Sequence, residues 1–181
     1  YAGDNKCIGA FADDTRGVIY AFIANSNHHH QIIEINVSAN TIVPVFKNME
    51  WTGFVNVLSW NPKYKIHSVD VIHRSDDEGD LLFWTDGLGR PRKINIKKAK
   101  LWNQPGGYPD PIIYDFTTVV KKPPTSPNTV WGSDLDRVVN NVRGKLFQFQ
   151  IRFGYDDYEK SVWSSWSNCS IPDRPFTPDR D

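Results

Sequence analysis

Three consecutive histidines, His28, His29 and His30, could bind a metal ion, because neutral imidazole is a common metal ligand. Neighbouring side chains on a strand or turn point in different directions, so no more than two of these imidazoles can reach one ion. A structural zinc site needs four ligands at defined spacing, and the sequence offers no matching set of cysteine or acidic residues. Two of the histidines with an outside carboxylate would make a weak site, so we expect a solvated polar turn instead.

Two acidic runs, Asp76–Asp80 and Asp156–Asp157, are candidates for calcium binding or acid–base chemistry. The first has the charge of a calcium loop but lacks the alternate ligand positions and the distant glutamate of an EF-hand. A catalytic carboxylate pair needs an enclosing cleft that separates the two pKa values, whereas both runs have the composition of turns between strands. The sequence therefore predicts solvated turns here. It predicts no catalytic residue, no metal site and no cofactor.

The stretch Arg90–Lys100 is locally basic and could contact phosphate groups. Ile94 and Ile96 interrupt its charges at the two-residue period of a strand, which favours a solvated sheet face over a nucleic-acid or protein contact. The whole chain gives no global field to attract nucleic acid, since 21 Lys and Arg residues balance 21 Asp and Glu residues.

The elements that must position these residues are mostly strands. Aromatic residues make up 13% of the chain, and aromatic and β-branched residues favour a sheet over a helical bundle. Turn residues separate short apolar or alternating runs, and four such runs in about 40 residues is the size of one propeller blade. The predicted strands cover residues 7–12, 18–24, 31–37, 41–46, 67–74, 81–85 and 92–98.

Two residues near the centre of the chain are predicted to have structural roles. Trp84 lies in the most apolar strand, so we expect its ring to be buried between sheets. Asp86 follows at the strand end before two glycines, where a carboxylate can accept backbone N–H bonds of a turn. The string Leu82-Phe-Trp-Thr-Asp86 also resembles the Tyr-Trp-Thr-Asp blades of lipoprotein-receptor propellers, which implies the same role.

A proline-rich segment divides the chain. Lys121-Lys-Pro-Pro-Thr-Ser-Pro-Asn128 forces extended, unpaired backbone, so we place a domain boundary near residue 122. Residues 1–122 are predicted to form a propeller-like sheet region, residues 123–172 part of a fibronectin-III-like sandwich, and residues 173–181 a linker. A short helix is predicted over Ser133–Gly144. Cys7 and Cys169 are compatible with one disulfide or with two free thiols.

The segment Lys145–Ser167 reads as two strands joined by a charged turn. In the first strand, apolar residues alternate with polar ones, so the hairpin must close a sandwich or lean on a partner. The second contains Trp163-Ser-Ser-Trp-Ser167, which matches the Trp-Ser-x-Trp-Ser signature of class I cytokine receptors. There, arginines of a neighbouring strand stack on the tryptophans, and Arg152 is the candidate partner of Trp163 and Trp166 here. The alternatives are a thrombospondin-type repeat and a tryptophan-rich sandwich edge without receptor function.

Longer strings resemble the tail stabilization (muzzle or nozzle) proteins of crAss-like and related short-tailed phages of Bacteroidetes. The most specific is Leu81-Leu-Phe-Trp-Thr-Asp-Gly-Leu-Gly-Arg-Pro-Arg-Lys-Ile-Asn-Ile96. Ile8-Gly-Ala with Val18-Ile-Tyr-Ala-Phe, the segment Gly144–Ser161 and the proline linker resemble the same family in the same order. Family members are much longer than 181 residues, so the resemblance implies an N-terminal part or a fragment.

The resemblance implies a structural virion protein and no enzyme. Such proteins form a ring or tube at the distal end of the portal–tail assembly, seal the DNA exit path and anchor other tail parts. The implied partners are portal-associated and tail proteins, with incidental contact to packaged DNA. The implied location is the virion tail, assembled in the bacterial cytoplasm. The alternatives are an extracellular receptor-like module with propeller and fibronectin-III-like domains, and a propeller glycosidase.

The distribution of aromatic residues predicts a homo-oligomer. Trp51, Trp60 and Trp102 lie in loops between strand patterns, where exposed rings are poor solitary surfaces. We therefore expect interfaces rich in aromatic and apolar residues. No apolar run approaches the roughly 20 residues needed to cross a bilayer, so no membrane span is predicted.

Overall fold

The computed structural model describes residues 2–48, 57–103, 117–130, 132, 145–155 and 158–169. In these residues the chain is mainly β, with two antiparallel sheets and one short helix. It divides into two units, Tyr1–Lys121 and Lys122–Asp181, and the division falls one residue before the predicted boundary at residue 122. The sheets and the helix lie in the first unit.

The first sheet has four antiparallel strands in sequence order. They are β1 (Asn5–Asp13), β2 (Val18–Asn25), β3 (Gln31–Asn36) and β4 (Thr41–Lys47). Each lies where the sequence predicts a strand, with ends that differ by no more than two residues, because tight turns between apolar runs fix both the strands and their pairing.

The second sheet has three antiparallel strands, also in sequence order. They are β5 (Ser68–Ile72), β6 (Leu81–Thr85) and β7 (Arg92–Asn95). The chain extends this sheet past β7, because Lys93 donates its backbone N–H to the carbonyl of Thr117, and Thr118 forms an antiparallel bridge with Arg92. The central strands β2 and β6 are the two continuous apolar runs of the sequence.

Aromatic rings join the two sheets. Phe22 of β2 is fully buried, and its ring centroid lies 5.7 Å from that of Trp60 and 5.9 Å from that of Trp84 of β6. β1 comes close to the chain that leads to β5, because the N–H of Ile66 bonds to the carbonyl of Ile8. A Cβ added to Gly9 would lie 2.6 Å from the Cβ of Ile66, so glycine permits this approach.

The predicted strand 92–98 is wrong in its second half, where the chain forms helix α1 (Ile96–Trp102). The side chain of Asn95 caps the helix by accepting the N–H of Lys98, which diverts the chain from the sheet. The buried residues Ile96, Ala99 and Trp102 recur at the three-residue spacing of a helix face.

The prediction of exposed loop tryptophans is wrong for Trp60 and Trp102. Trp102 is 3% exposed at the end of α1, and Trp60 is 7% exposed against Phe22, so both contribute to the core. Local sequence places these rings outside strands correctly but cannot reveal the tertiary contacts that bury them. Trp51 lies outside the described residues.

In the second unit, the described chain contains a hairpin formed by residues 145–155 and 158–169. The backbone N–H of Tyr155 bonds to the carbonyl of Glu159 at its turn, and Gly154 and Lys160 form an antiparallel bridge. The predicted helix Ser133–Gly144 and the acidic pair Asp156–Asp157 lie outside the described residues.

Candidate interaction surface

Three buried serines hold the hairpin together. The backbone N–H groups of Phe149, Ile151 and Phe153 donate to the hydroxyls of Ser167, Ser164 and Ser161, at 2.9, 3.0 and 2.9 Å. The backbone N–H of each serine returns a bond to the carbonyl of the same partner, at 2.8–3.0 Å. Each serine therefore contributes an acceptor and a donor to the ladder.

These bonded pairs form a ladder. Successive pairs are two residues apart in segment 145–155 and three residues apart in segment 158–169, the serine segment. Every third residue of the serine segment bonds to the facing segment, so this segment has a three-residue repeat. The prediction of two strands is therefore wrong for the described residues of the hairpin, where only Gly154 and Lys160 form a β-bridge. The missed signal is the recurrence of Ser161, Ser164 and Ser167 with Trp163 and Trp166 between them.

The three-residue repeat places both hairpin tryptophans in equivalent positions. The guanidinium carbon of Arg152 lies 4.4 Å from the ring centroid of Trp163, which is a cation–π contact. Gln150 and Gln148 donate their side-chain amides to the carbonyls of Ser164 and Ser167. The predicted stacking of Arg152 on Trp163 is therefore present, with glutamines in place of further arginines.

Trp166 falls between the ladder positions of Gln150 and Gln148, and its side chain is 60% exposed. Trp163 is 49% exposed even beneath its arginine. Exposed indoles fixed on a hydrogen-bonded ladder are typical of contact surfaces, because a rigid aromatic ring loses little entropy when it binds.

The opposite face of the same segment carries a row of exposed apolar side chains. Phe147, Phe149, Ile151 and Phe153 are between 38% and 52% exposed, and the rings of Phe147 and Phe149 stack with centroids 6.4 Å apart. These side chains alternate with the polar residues that reach the serine segment, as the sequence predicts. Such a contiguous apolar row marks an interaction surface or one face of an incomplete core.

Asn168 joins this hairpin to the preceding proline-rich segment. Its side-chain oxygen accepts the backbone N–H of Thr129 at 2.7 Å, and its amide nitrogen donates to the carbonyl of Thr129 at 2.9 Å. The amide of this Asn-Cys-Ser sequence is therefore engaged in a backbone contact. Cys169 beside it and Cys7 in the first unit are exposed free thiols.

Trp84 and Asp86 occupy the structural positions predicted for them. Trp84 is 3% exposed and packs on Phe22, and one carboxylate oxygen of Asp86 accepts the N–H groups of Leu88 and Gly89 at 3.0 and 2.8 Å. The side chain of Asp86 thus stabilises the turn between β6 and β7. The predicted burial of Trp84 and the predicted turn contacts of Asp86 are confirmed.

Asp80 is buried, in contrast to the solvated acidic turn that the sequence predicts. It forms a bidentate pair with Arg16 and accepts the backbone N–H of Arg74 at 2.9 Å. The ring of His73 lies between two carboxylates, 3.3 Å from Asp80 and 3.4 Å from Asp13. Burial alone would raise the pKa of Asp80, but the bonds from Arg16, Arg74 and His73 outweigh it and lower this pKa to about 2.

The histidine run is only partly a solvated turn. His30 is 1% exposed, and its Nδ1 accepts the backbone N–H of Asn25 at 3.0 Å, so the ring is neutral. Burial lowers its pKa to about 4, and the neighbouring His28 and His29 add to the effect. No group of three potential ligands gathers within the described residues to hold a metal ion.

The basic stretch is used mainly for internal contacts rather than as a solvated sheet face. Lys97 donates to the carbonyls of Asp76 and Asp77, and Lys100 lies 2.8 Å from both carboxylate oxygens of Glu34. Lys97 and Lys100 also line an open groove of about 500 Å³, together with Tyr20 and Ile96 among others. The paired charges connect α1 and the acidic turn to the sheets.

No protein-family model matches this chain, and no curated protein or solved structure matches it. Among the described residues, no helix is long and apolar enough to cross a membrane.

Proposed function

We propose that this chain is a structural protein of the tail of a short-tailed phage, without enzymatic activity. It would belong to the muzzle or nozzle assembly that stabilises the portal–tail junction and seals the DNA exit channel. The resemblance of three segments and the proline linker to tail stabilization proteins is the starting point. The same chain would act as a homo-oligomer and anchor other tail proteins.

The hairpin surface is the observation that carries this proposal. Two exposed indoles lie on one face of the ladder, and four exposed apolar side chains lie on the other. A surface of this composition supports a role in protein contacts, because aromatic side chains dominate the energetics of such interfaces. The apolar row also supports the interpretation that the hairpin belongs to a fibronectin-III-like sandwich.

The first unit supports the propeller interpretation. Both sheets run in sequence order with antiparallel neighbours, which is the strand order within a propeller blade. The bridge to Thr118 gives the second sheet the equivalent of a fourth strand, and apolar side chains pack between the sheets. Ion pairs such as Arg16–Asp80 and Lys100–Glu34 connect the elements and leave these charged groups with structural roles.

An extracellular receptor-like binding module is the second candidate. The contact between Arg152 and Trp163 favours it, because this stacking is the feature that the Trp-Ser-x-Trp-Ser signature of cytokine receptors implies. The two candidates predict different surroundings for the gene. Portal and terminase genes nearby support the tail protein, whereas an upstream secretion signal supports the receptor.

Localisation in particles tests the proposed function directly. Particles purified from a culture that carries the gene would be analysed by mass spectrometry and labelled with a gold-conjugated antibody against this chain. We expect peptides of the chain in intact particles and label at the tail. Peptides found only in the membrane or secreted fractions would contradict the tail assignment and support the receptor.

A further inference from the structure

The four-stranded sheet has an apolar face on the side away from the second sheet. Side chains alternate between the two faces of a strand, and paired residues on neighbouring strands share a face. Because Phe22 packs on Trp84 of the second sheet, Ala21 and Ile23 beside it point the other way. We call this side the far face, and its central members are Ile19, Ala21, Ile23, Ile33, Ile35 and Ile42.

The register of the strands makes these residues contiguous. Ile19 pairs with Ile35, and Ile35 pairs with Ile42, so one row of isoleucine crosses three strands. Ala21 and Ile33 pair in the adjacent row. Ile42 is 67% exposed, and the other isoleucines of the face are half-buried.

An antiparallel sheet with one solvated face normally alternates apolar and polar residues. Strand β2 does not alternate, because Val18-Ile-Tyr-Ala-Phe-Ile-Ala24 is apolar on both faces. The face of β2 that carries Phe22 packs on the second sheet, which explains the apolar residues on that side. The apolar residues on the far face have the composition of a surface that another apolar surface covers.

The charges on the two outer sheet faces indicate which surface covers the far face. The six residues of the far face carry no charge, and the nearest charged partner in register is Lys47, opposite Gln31 at one end. The outward face of the second sheet differs, because the exposed carboxylate of Asp70 lies beside Phe83 there. Packing the far face on that surface of another copy would desolvate this charge, whereas packing it on an identical far face would desolvate none.

We infer that the far faces of two copies of this chain pack against each other about a twofold axis. Two sheets can pack in this way with their strands nearly aligned and their side chains interdigitated. The inference deepens the proposed function, on whose homo-oligomeric character it rests, by naming the surface that joins the copies. A face of three to four strands covers roughly 300 Å² per copy, which is small for a stable dimer, so association is expected only at high micromolar concentration.

Sedimentation velocity of the full chain from about 5 to 500 μM tests this contact. The wild type is expected to shift from monomer to dimer over this range, with little dependence on salt because the contact is apolar. Ile42→Glu should raise the dissociation constant by at least about tenfold, since it places a charge in the contact. Its high exposure lets the new carboxylate reach water in the monomer, and circular dichroism would verify that the variant is folded.

Leu88→Glu is the matched control. Leu88 is 58% exposed in the turn between β6 and β7, away from the far face, so the same charge there should leave the dissociation constant unchanged. A monomer at every concentration overturns the inference. It is equally overturned if Phe149→Ser in the hairpin abolishes association while Ile42→Glu does not. That second result leaves the proposed function standing, because the copies would then associate through the hairpin.

Discussion

Arg16 and Asp80 form a bidentate ion pair that joins the two sheets of the first unit, with nitrogen–oxygen distances of 2.8 and 3.0 Å. Arg16 lies in the turn between β1 and β2, and Asp80 directly precedes β6. Asp80 is 64 residues further along the chain, so the pair closes a long loop at a cost in chain entropy. Both partners also contact His73 or Arg74, which makes the pair the centre of a network rather than an isolated surface bridge.

Replacing Asp80 with Asn should therefore lower the free energy of unfolding by about 1.5–3 kcal/mol, because an amide cannot accept both guanidinium bonds. Asp76→Asn is the control, and it should change stability very little, because the Asp76 side chain is 94% exposed 3.5 Å from the same arginine. Urea denaturation of the full chain at neutral pH measures both. If both substitutions lowered the free energy of unfolding equally, the contacts of Asp80 would contribute no more to stability than an exposed surface charge does.

The same contacts predict a loss of stability in acid. The pKa of Asp80 is about 2 in the folded chain against an ordinary value of 3.8, so the carboxylate stabilises the fold fully above pH 3.8. This contribution should disappear as the pH falls toward 2. The denaturation midpoints of the wild type and of Asp80→Asn should accordingly converge over this range, and parallel curves would contradict the prediction.

Trp84→Ala should cost roughly 3–5 kcal/mol of unfolding free energy, because it leaves a cavity against Phe22 in the contact between the sheets. Asp86→Asn should cost less, since an amide oxygen can still accept the N–H groups of Leu88 and Gly89. Circular dichroism during denaturation avoids the change in fluorescence that the loss of a tryptophan causes. An unchanged midpoint for Trp84→Ala would remove the main structural support for the blade interpretation of residues 81–96.

Local sequence was sufficient to predict most strands of the first unit. Val18–Asn25 and Leu81–Thr85 are bounded by turn residues, so their apolar character and length identify buried central strands. The helix after Asn95 was missed because Ile94 and Ile96 continue the alternation of β7 across the true boundary. The Asn95 cap and the spacing of Ile96 and Ala99 were the signal that competed with that alternation.

Features that depend on distant partners could not be predicted. The burial of His30 and Asp80 follows from Trp60 and Arg16, which lie far away in the sequence. In the hairpin, the contact of Arg152 with Trp163 was predicted from the sequence signature. The repeat that positions Trp163 was not, because a three-residue period matches neither a strand nor an α-helix.

His30 should make the first unit less stable in mild acid. Its folded pKa is about 4 against an ordinary value of 6.5, so between these values the unfolded chain binds the extra proton. Stability should therefore be complete above about pH 6.5 and decline as the pH falls toward 4. His30→Gln should flatten this slope, whereas the control His67→Gln, at an exposed histidine, should retain it. The measurement is the denaturation midpoint at pH 5 and pH 7.5, and an unchanged slope in His30→Gln would contradict it.

The adjacent residues Ser164 and Ser165 allow a sharp test of the serine ladder. Ser164 is 2% exposed, its hydroxyl accepts the N–H of Ile151, and its own N–H bonds to the carbonyl of Ile151. Ser164→Ala removes the hydroxyl and leaves the part-buried N–H of Ile151 without its acceptor, which should cost about 1 kcal/mol. Ser165 is exposed in the next position of the repeat, so Ser165→Ala should change stability by no more than about 0.5 kcal/mol.

Amide hydrogen exchange locates the effect at one position of the ladder. In Ser164→Ala the amide of Ile151 should exchange faster than in the wild type, and the amides of Phe149 and Phe153 should change less, because Ser167 and Ser161 still hold them. Ser165→Ala should leave all three amides protected. If both substitutions accelerate exchange equally, the three-residue register is wrong. The positions of Trp163 and Trp166 on a fixed ladder, on which the proposed contact surface depends, would then have to be abandoned.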